Sequence, residues 1–92
     1  MVVKSDKLND IMAILGKTGT LAILNTLSEG AKRYNELRGT VASDRTLSQR
    51  IKELEECALI ETVSMKIDNR FFVHYKLSTK GEEIIKKIKE IK

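Results

Sequence analysis

Apolar residues recur along this chain with two different periods. Leu8, Ile11, Met12 and Leu15 fall at the i, i+3, i+4, i+7 spacing of one helical face. That spacing predicts a first helix over about 5–15, with Ser5 or Asp6 as its cap and Gly16 as its end. Leu21, Leu24 and Leu27, widened by Ala22 and Ile23, predict a second helix capped by Thr18 or Thr20 and stopped at Gly30. A brief helix over Tyr34–Thr40 would turn Leu37 inward. After a tight turn at Val41–Ser43, the stripe Leu47, Ile51, Leu54 and Ala58 predicts a fourth helix from Asp44 to about Cys57, with Ser43 as its cap.

From Ile60 the period falls to two. Val63, Met65 and Ile67, then Phe71, Val73, Tyr75 and Leu77, occupy alternate positions and predict two strands joined through Asp68, Asn69 and Arg70. Both apolar sets sit at odd numbers, so a shared face requires Ile67 opposite Phe71 across a three-residue loop. A last helix over 79–92 has Ile84, Ile85, Ile88 and Ile91 on its apolar side, with Lys86, Lys87, Lys89 and Lys92 in its last turns, where they favour the helix dipole.

Three helices, a turn, a fourth helix and a hairpin describe a winged helix-turn-helix, an α+β fold that is mainly α. With 92 residues, one domain over 1–92 is expected. The candidate recognition helix is 44–57. With Leu47, Ile51 and Leu54 inward, Arg45, Gln49, Lys52 and Glu56 point outward, flanked by Thr46, Ser48 and Glu53. Arg45 can fork onto guanine, Gln49 can pair with adenine, and Thr46, Ser48 and Lys52 can read base edges or hold phosphate. Glu56 lies at the far end, so entry by the N-terminal turns is expected. Lys66 and Arg70 at the hairpin tip are the candidate wing contacts.

The charge agrees with a polyanionic partner without requiring one. Lys plus Arg number 17 against 13 Asp plus Glu, a net +4. Charged residues make up 33% of the chain, hydrophobic residues 41%, and proline is absent, which suits an ordered, mostly helical domain. The absence of a signal-peptide pattern or long apolar run predicts a cytoplasmic protein without a membrane span.

The terminal stripes Leu8, Ile11, Met12, Leu15 and Ile84, Ile88, Ile91 exceed what so small a core can bury, and predict a homodimer interface. The single cysteine, Cys57, rules out an internal disulfide. Its place near a helix C-terminus, beside Glu55 and Glu56, opposes a thiolate and so a redox role. His74 is expected to face outward from its strand without a catalytic or metal role. Gly16-Lys17-Thr18 lacks the first glycine of a phosphate loop, since Ile11 stands there. No nucleophile–base pair or metal-ligand cluster emerges, so neither an enzyme nor a cofactor is expected, and no small-molecule effector is specified.

The chain resembles the HxlR-type winged-helix transcriptional regulators, with the MarR and ArsR types as more distant relatives. The likeness runs from about Gly16 to Gly81. It rests on Ile23-Leu24, Leu27, Arg33-Tyr34-Asn35-Glu36-Leu37, Leu47, Gln49-Arg50-Ile51, Leu54-Glu55, Leu59-Ile60, Val73, Tyr75, Leu77-Ser78 and Gly81. Thr18-Gly19 stands where the family often has tryptophan, and Cys57-Ala58 replaces its usual glycine before the hairpin. The resemblance implies a dimer built from the first and last helices that binds double-stranded promoter DNA through recognition helix and wing. A sequence-indifferent, architectural DNA protein and a winged helix that binds only other proteins are the alternatives.

Overall fold

The computed structural model describes residues 11–90. Helix α1 is described over 11–15, followed by α2 (Thr20–Leu27), α3 (Tyr34–Leu37), α4 (Asp44–Glu56), β1 (Ile60–Ile67), β2 (Arg70–Leu77) and α5 (Thr79–Glu90). No helix among the described residues is long and apolar enough to cross a membrane.

One apolar cluster joins all the elements. Ile11 and Ile14 of α1 meet Ile23, Leu24 and Leu27 of α2, Leu37 of α3 and Leu47, Ile51 and Leu54 of α4. Leu59, Ile60, Leu77 and Ile85 close it from the hairpin base and α5. Burying each such side chain stabilises the fold by about 1.5–3 kcal/mol. The α4 stripe lies as its spacing predicts, except that Ala58 falls beyond the helix and is exposed.

The two N-terminal helices are rotated from the expected faces. In α2 the inward residues are Thr20, Ile23, Leu24 and Leu27, while Leu21 is exposed. The cap is neither Thr18 nor Thr20 but Gly19, whose φ of 86° belongs to the left-handed region and which makes no side-chain cap bond. In α1, Ile14 is buried and Met12 is 65% exposed. Ile11 packs into the chain's own core, which removes it from the expected dimer face. Leu8 and Ile91 lie outside the described residues.

Helix α3 stops at Leu37, whose carbonyl accepts both the N–H (3.2 Å) and the hydroxyl (2.6 Å) of Thr40. Residues 38–43 then lead to α4, a longer link than the three or four residues expected. Ser43 caps α4 as predicted, its hydroxyl accepting the Thr46 N–H at 3.2 Å.

The hairpin differs from its expected register. Ile67 pairs with Arg70, not Phe71, across the two-residue turn Asp68-Asn69. Both turn residues have positive φ, 51° and 66°, as a type I′ turn requires, and Asp and Asn tolerate that region. Phe71, Val73 and Tyr75 therefore share a face with Lys66, Ser64 and Thr62, while Met65 and Ile67 lie on the other face with Phe72 and Arg70. The apolar alternation does not set the register, because the outer half of the ribbon extends beyond the core and neither of its faces is buried. His74 reverses its expected orientation: it is only 6% exposed at the hairpin base, with Nδ1 3.1 Å from the Phe72 carbonyl.

A backbone bridge anchors this base. Lys32, in the α2–α3 link, and Tyr75 exchange N–H···O bonds of 2.9 and 2.8 Å. Beside it the Arg33 guanidinium lies 4.2 Å from the Phe72 ring centre.

The exit from α4 is the tightest junction. Leu59 N–H returns to the Leu54 carbonyl (2.9 Å) and Ala58 N–H to that of Glu55 (3.0 Å), a Schellman closure with Ala58 at φ 59°. Ser78 joins it to α5: its hydroxyl donates to the Ala58 carbonyl at 2.6 Å and accepts the Gly81 N–H at 3.0 Å. Gly81 sits so close that an added Cβ would overlap the Leu59 carbonyl oxygen.

Two substitutions test this junction by denaturant titration. Ala58→Gly relieves a left-handed alanine and should raise stability by about 0.5–1 kcal/mol. Gly81→Ala forces backbone apart and should lower it by about 2–4 kcal/mol.

Candidate nucleic-acid interface

The outward face of α4 is built by what holds its inner face. Leu47, Ile51 and Leu54 fix the helix's rotation, so the opposite side carries Arg45, Gln49, Lys52 and Glu56, all exposed. Arg45, Gln49 and Lys52 have no hydrogen-bond or ion-pair partner among the described residues.

The basic residues around this face are occupied. Lys17 bonds Glu53 at 2.6 Å, and Arg50 reaches the same carboxylate at 3.1 Å while its Nε donates to the Thr18 carbonyl at 3.0 Å. These bonds tie α4 to the α1–α2 link. They also hold the Glu53 carboxyl below the usual carboxylate range, chiefly through the Lys17 hydrogen bond and then the Lys17 and Arg50 charges. Glu53 is consequently committed to a fold contact at the edge of the face.

The first turn of α4 is held from α3. The Tyr34 hydroxyl donates to the Asp44 carbonyl (2.9 Å) and lies 2.8 Å from Ser48 Oγ, so the Ser48 hydroxyl is free to donate to the phenol. Arg38 pairs with Asp44 at 3.2 Å, which offsets the one acid in that turn. An uncompensated Asp44 would repel a polyanion there. Tyr34 is a positioning residue that the helical wheel of α4 has no means of revealing. The signal for it was the Arg33-Tyr34 pair among the family marks. Glu36 in the same element accepts the Arg33 N–H at 2.9 Å, and this backbone bond lowers its pKa.

Thr46 is half-buried and its Oγ1 accepts from the Ser43 hydroxyl at 3.0 Å, so it belongs partly to the cap. Towards the other end of α4, the Glu55 carboxylate bonds the Thr62 hydroxyl and is drawn towards β1. Lys66 and Arg70 are exposed at the end of the hairpin, on opposite faces of the ribbon. The structure thus brings Arg45, Ser48, Gln49 and Lys52 onto one surface of α4 and holds Lys66 and Arg70 apart from them, on the wing.

The HxlR-like helix-turn-helix family model matches residues 14–92. The chain belongs to that family. It is 32% identical over 87 residues to an uncharacterized HTH-type transcriptional regulator of Methanocaldococcus jannaschii, MJ0925, with 88% of this chain and 74% of that protein covered. It is 31% identical over 77 residues to the HTH-type transcriptional regulator YodB of Bacillus subtilis, covering 82% and 68% of the two chains. The reduced form of YodB superposes with a TM-score of 0.79 at 29% identity, over 92% of this chain and 84% of that one. The fold also matches the homodimeric winged helix-turn-helix DNA-binding domain of Mb0332 from Mycobacterium bovis, with a TM-score of 0.77 at 15% identity, over 98% and 82% of the two chains. This HxlR-like protein is thus a transcriptional regulator with a winged helix-turn-helix fold.

Glu53→Gln gives the Lys17–Glu53–Arg50 cluster a measurable signature. A depressed carboxyl pKa adds stability above its unfolded value, and that stability is lost as pH falls through the folded value. The variant should be less stable than the parent by about 0.5–1 kcal/mol near pH 7. In urea titrations the gap should close on acidification below the ordinary glutamate range.

Proposed function

We propose that this regulator binds double-stranded DNA as a homodimer, with α4 entering the major groove by its N-terminal turns and the wing resting on the adjacent backbone or minor groove. The observation behind this reading is the contrast on and around α4. Lys17, Arg38 and Arg50 are bound to carboxylates of the same chain, whereas Arg45, Gln49 and Lys52 stand outward without partners among the described residues.

The roles follow from chemistry. Arg45 and Gln49 have the bidentate geometry for guanine and adenine edges. Lys52, Ser48 and Thr46 suit phosphate or single base-edge contacts, and Lys66 and Arg70 add phosphate contacts from the wing. The Arg38–Asp44 pair keeps the entry turn from repelling phosphate. The regulatory output follows from occupying a promoter, and dimerisation supplies the second helix for the next groove turn, about 34–36 Å away.

Support for the dimer is narrower. Met12 is exposed on α1, and Ile88 is only half-buried on α5. Leu15 and Ile84 contribute partly to the monomer core and Ile11 fully, so the interface rests chiefly on Met12 and Ile88, with Leu8 and Ile91 beyond the described residues.

Fluorescence anisotropy with the chain's own upstream region and a scrambled duplex, at two salt concentrations, tests the reading. Specific binding that survives added salt is the expected result. Arg45→Ala should weaken the preferred duplex by about 1–3 kcal/mol and relax sequence preference, whereas Lys52→Ala should weaken all duplexes alike and reduce the salt slope by about one. Equal, salt-sensitive binding to both duplexes would make the protein an architectural one, and no binding would leave the fold as a protein-interaction module. In sedimentation, Met12→Asp with Ile88→Asp should yield monomers that bind DNA weakly.

A further inference from the structure

The end of the wing is apolar on both faces. Phe71, 71% exposed, is the most exposed large hydrophobic side chain among the described residues. It stands directly across the ribbon from Lys66, whose ammonium lies 5.9 Å from the ring centre. On the opposite face Arg70 stands directly across from Ile67, itself 41% exposed, with Met65 next along at 42%. At its tip each face therefore sets a cation directly across from a large apolar side chain, Lys66 from Phe71 and Arg70 from Ile67. Asp68, in the turn, is outweighed by the two cations.

Association with a flat surface would cover one face of such a ribbon and leave the other wet. Two apolar faces, each with its own positive charge, fit a slot with two walls that are each partly apolar and partly anionic. The two sugar–phosphate strands lining a DNA groove have that character. The fit is not passive. The minor groove of B-DNA is about 6 Å wide, whereas a ribbon bearing side chains on both faces is about 10 Å thick. Entry must open the groove, and opening the minor groove bends the duplex towards the major groove.

On the reading that the protein binds DNA with its wing at the minor groove, we propose that the apolar tip of the wing widens that groove beside the site read by α4. Phe71 and Ile67 pack against sugars of opposite strands, and Lys66 and Arg70 neutralise a phosphate on each. Because the cost of deformation depends on the sequence deformed, the wing confers preference at flanking positions that no side chain reads: flexible pyrimidine–purine steps over stiff A-tracts. Phe71 is then a specificity-determining residue that makes no hydrogen bond to a base.

The test uses the full chain and the duplex it enriches most from a random pool, labelled at both ends for energy transfer. The parent protein should bend this duplex and bind it more tightly with TA than with A-tract flanks. Phe71→Ala lies outside the core and should melt at the parent temperature. It should bind about tenfold more weakly with an unchanged salt slope, and lose both the bend and the flank preference. Phe71→Leu should restore most of each. Lys66→Gln with Arg70→Gln should reduce the salt slope by about two. If Phe71→Ala kept the parent's affinity and bend while Arg45→Ala still relaxed preference, the groove assignment would be wrong and the DNA-binding reading would stand. Loss of self-association by Phe71→Ala without DNA would also overturn it, by showing the patch to be covered by a second copy. No DNA binding by the parent protein would remove both.

Discussion

The short bond from the Ser78 hydroxyl to the Ala58 carbonyl, with the Gly81 N–H donated back to the same hydroxyl, joins three elements at one point. It closes the end of α4, sets where the hairpin returns to the core and starts α5. The Ser78 N–H adds a bond to the Leu59 carbonyl at 3.0 Å, and the Lys80 ammonium reaches the Cys57 carbonyl at 3.4 Å. The last carbonyls of a helix need partners wherever water is excluded. In α4 the Leu54 and Glu55 carbonyls take the Leu59 and Ala58 N–H groups, and the carbonyls just past the helix, from Cys57 to Leu59, find their partners in the segment that follows the wing. The orientation of α4 is consequently fixed at one end by Ser78 and at the other by Tyr34, and the outward face between them needs no residue for its own support.

That division of labour explains the electrostatics. Inter-element bonds consume Lys17, Arg38 and Arg50, and their acidic partners Glu53 and Asp44 lie at the margins of the α4 face. Surface ion pairs of this kind contribute little individually. Their larger effect is to neutralise acids beside a surface that would otherwise repel phosphate. A net charge of only +4 is thereby compatible with a cationic patch.

Much of this was legible in the sequence, and what was not has physical reasons. The α4 face could be read because Leu47, Ile51 and Leu54 fix a rotation that 3.6-residue geometry carries to Arg45, Gln49 and Lys52. Ser43 as a cap is equally local. In α1 and α2 the stripe was wide enough to admit two rotations, and the core chose Ile14 and Ile23 over Met12 and Leu21. The hairpin register failed because alternation reports a face only where one face is buried. Asp68-Asn69, suited to a two-residue turn, was the better guide. Tyr34, Ser78 and the Lys32–Tyr75 bridge act across 10 or more residues, and no periodicity records such contacts.

The hairpin is divided in two by its place in the fold. Its base, with Ile60, His74 and Leu77 buried and Lys32 bridged to Tyr75, is part of the core, and substitutions there are paid in stability. Its outer end, from Ser64 to Phe71, is exposed throughout and can accumulate changes without endangering folding. A lineage carrying this scaffold can therefore diversify its wing while the helical body stays under purifying selection. On the proposed reading of the wing, paralogues that share one core could acquire separate sets of targets through the ribbon alone.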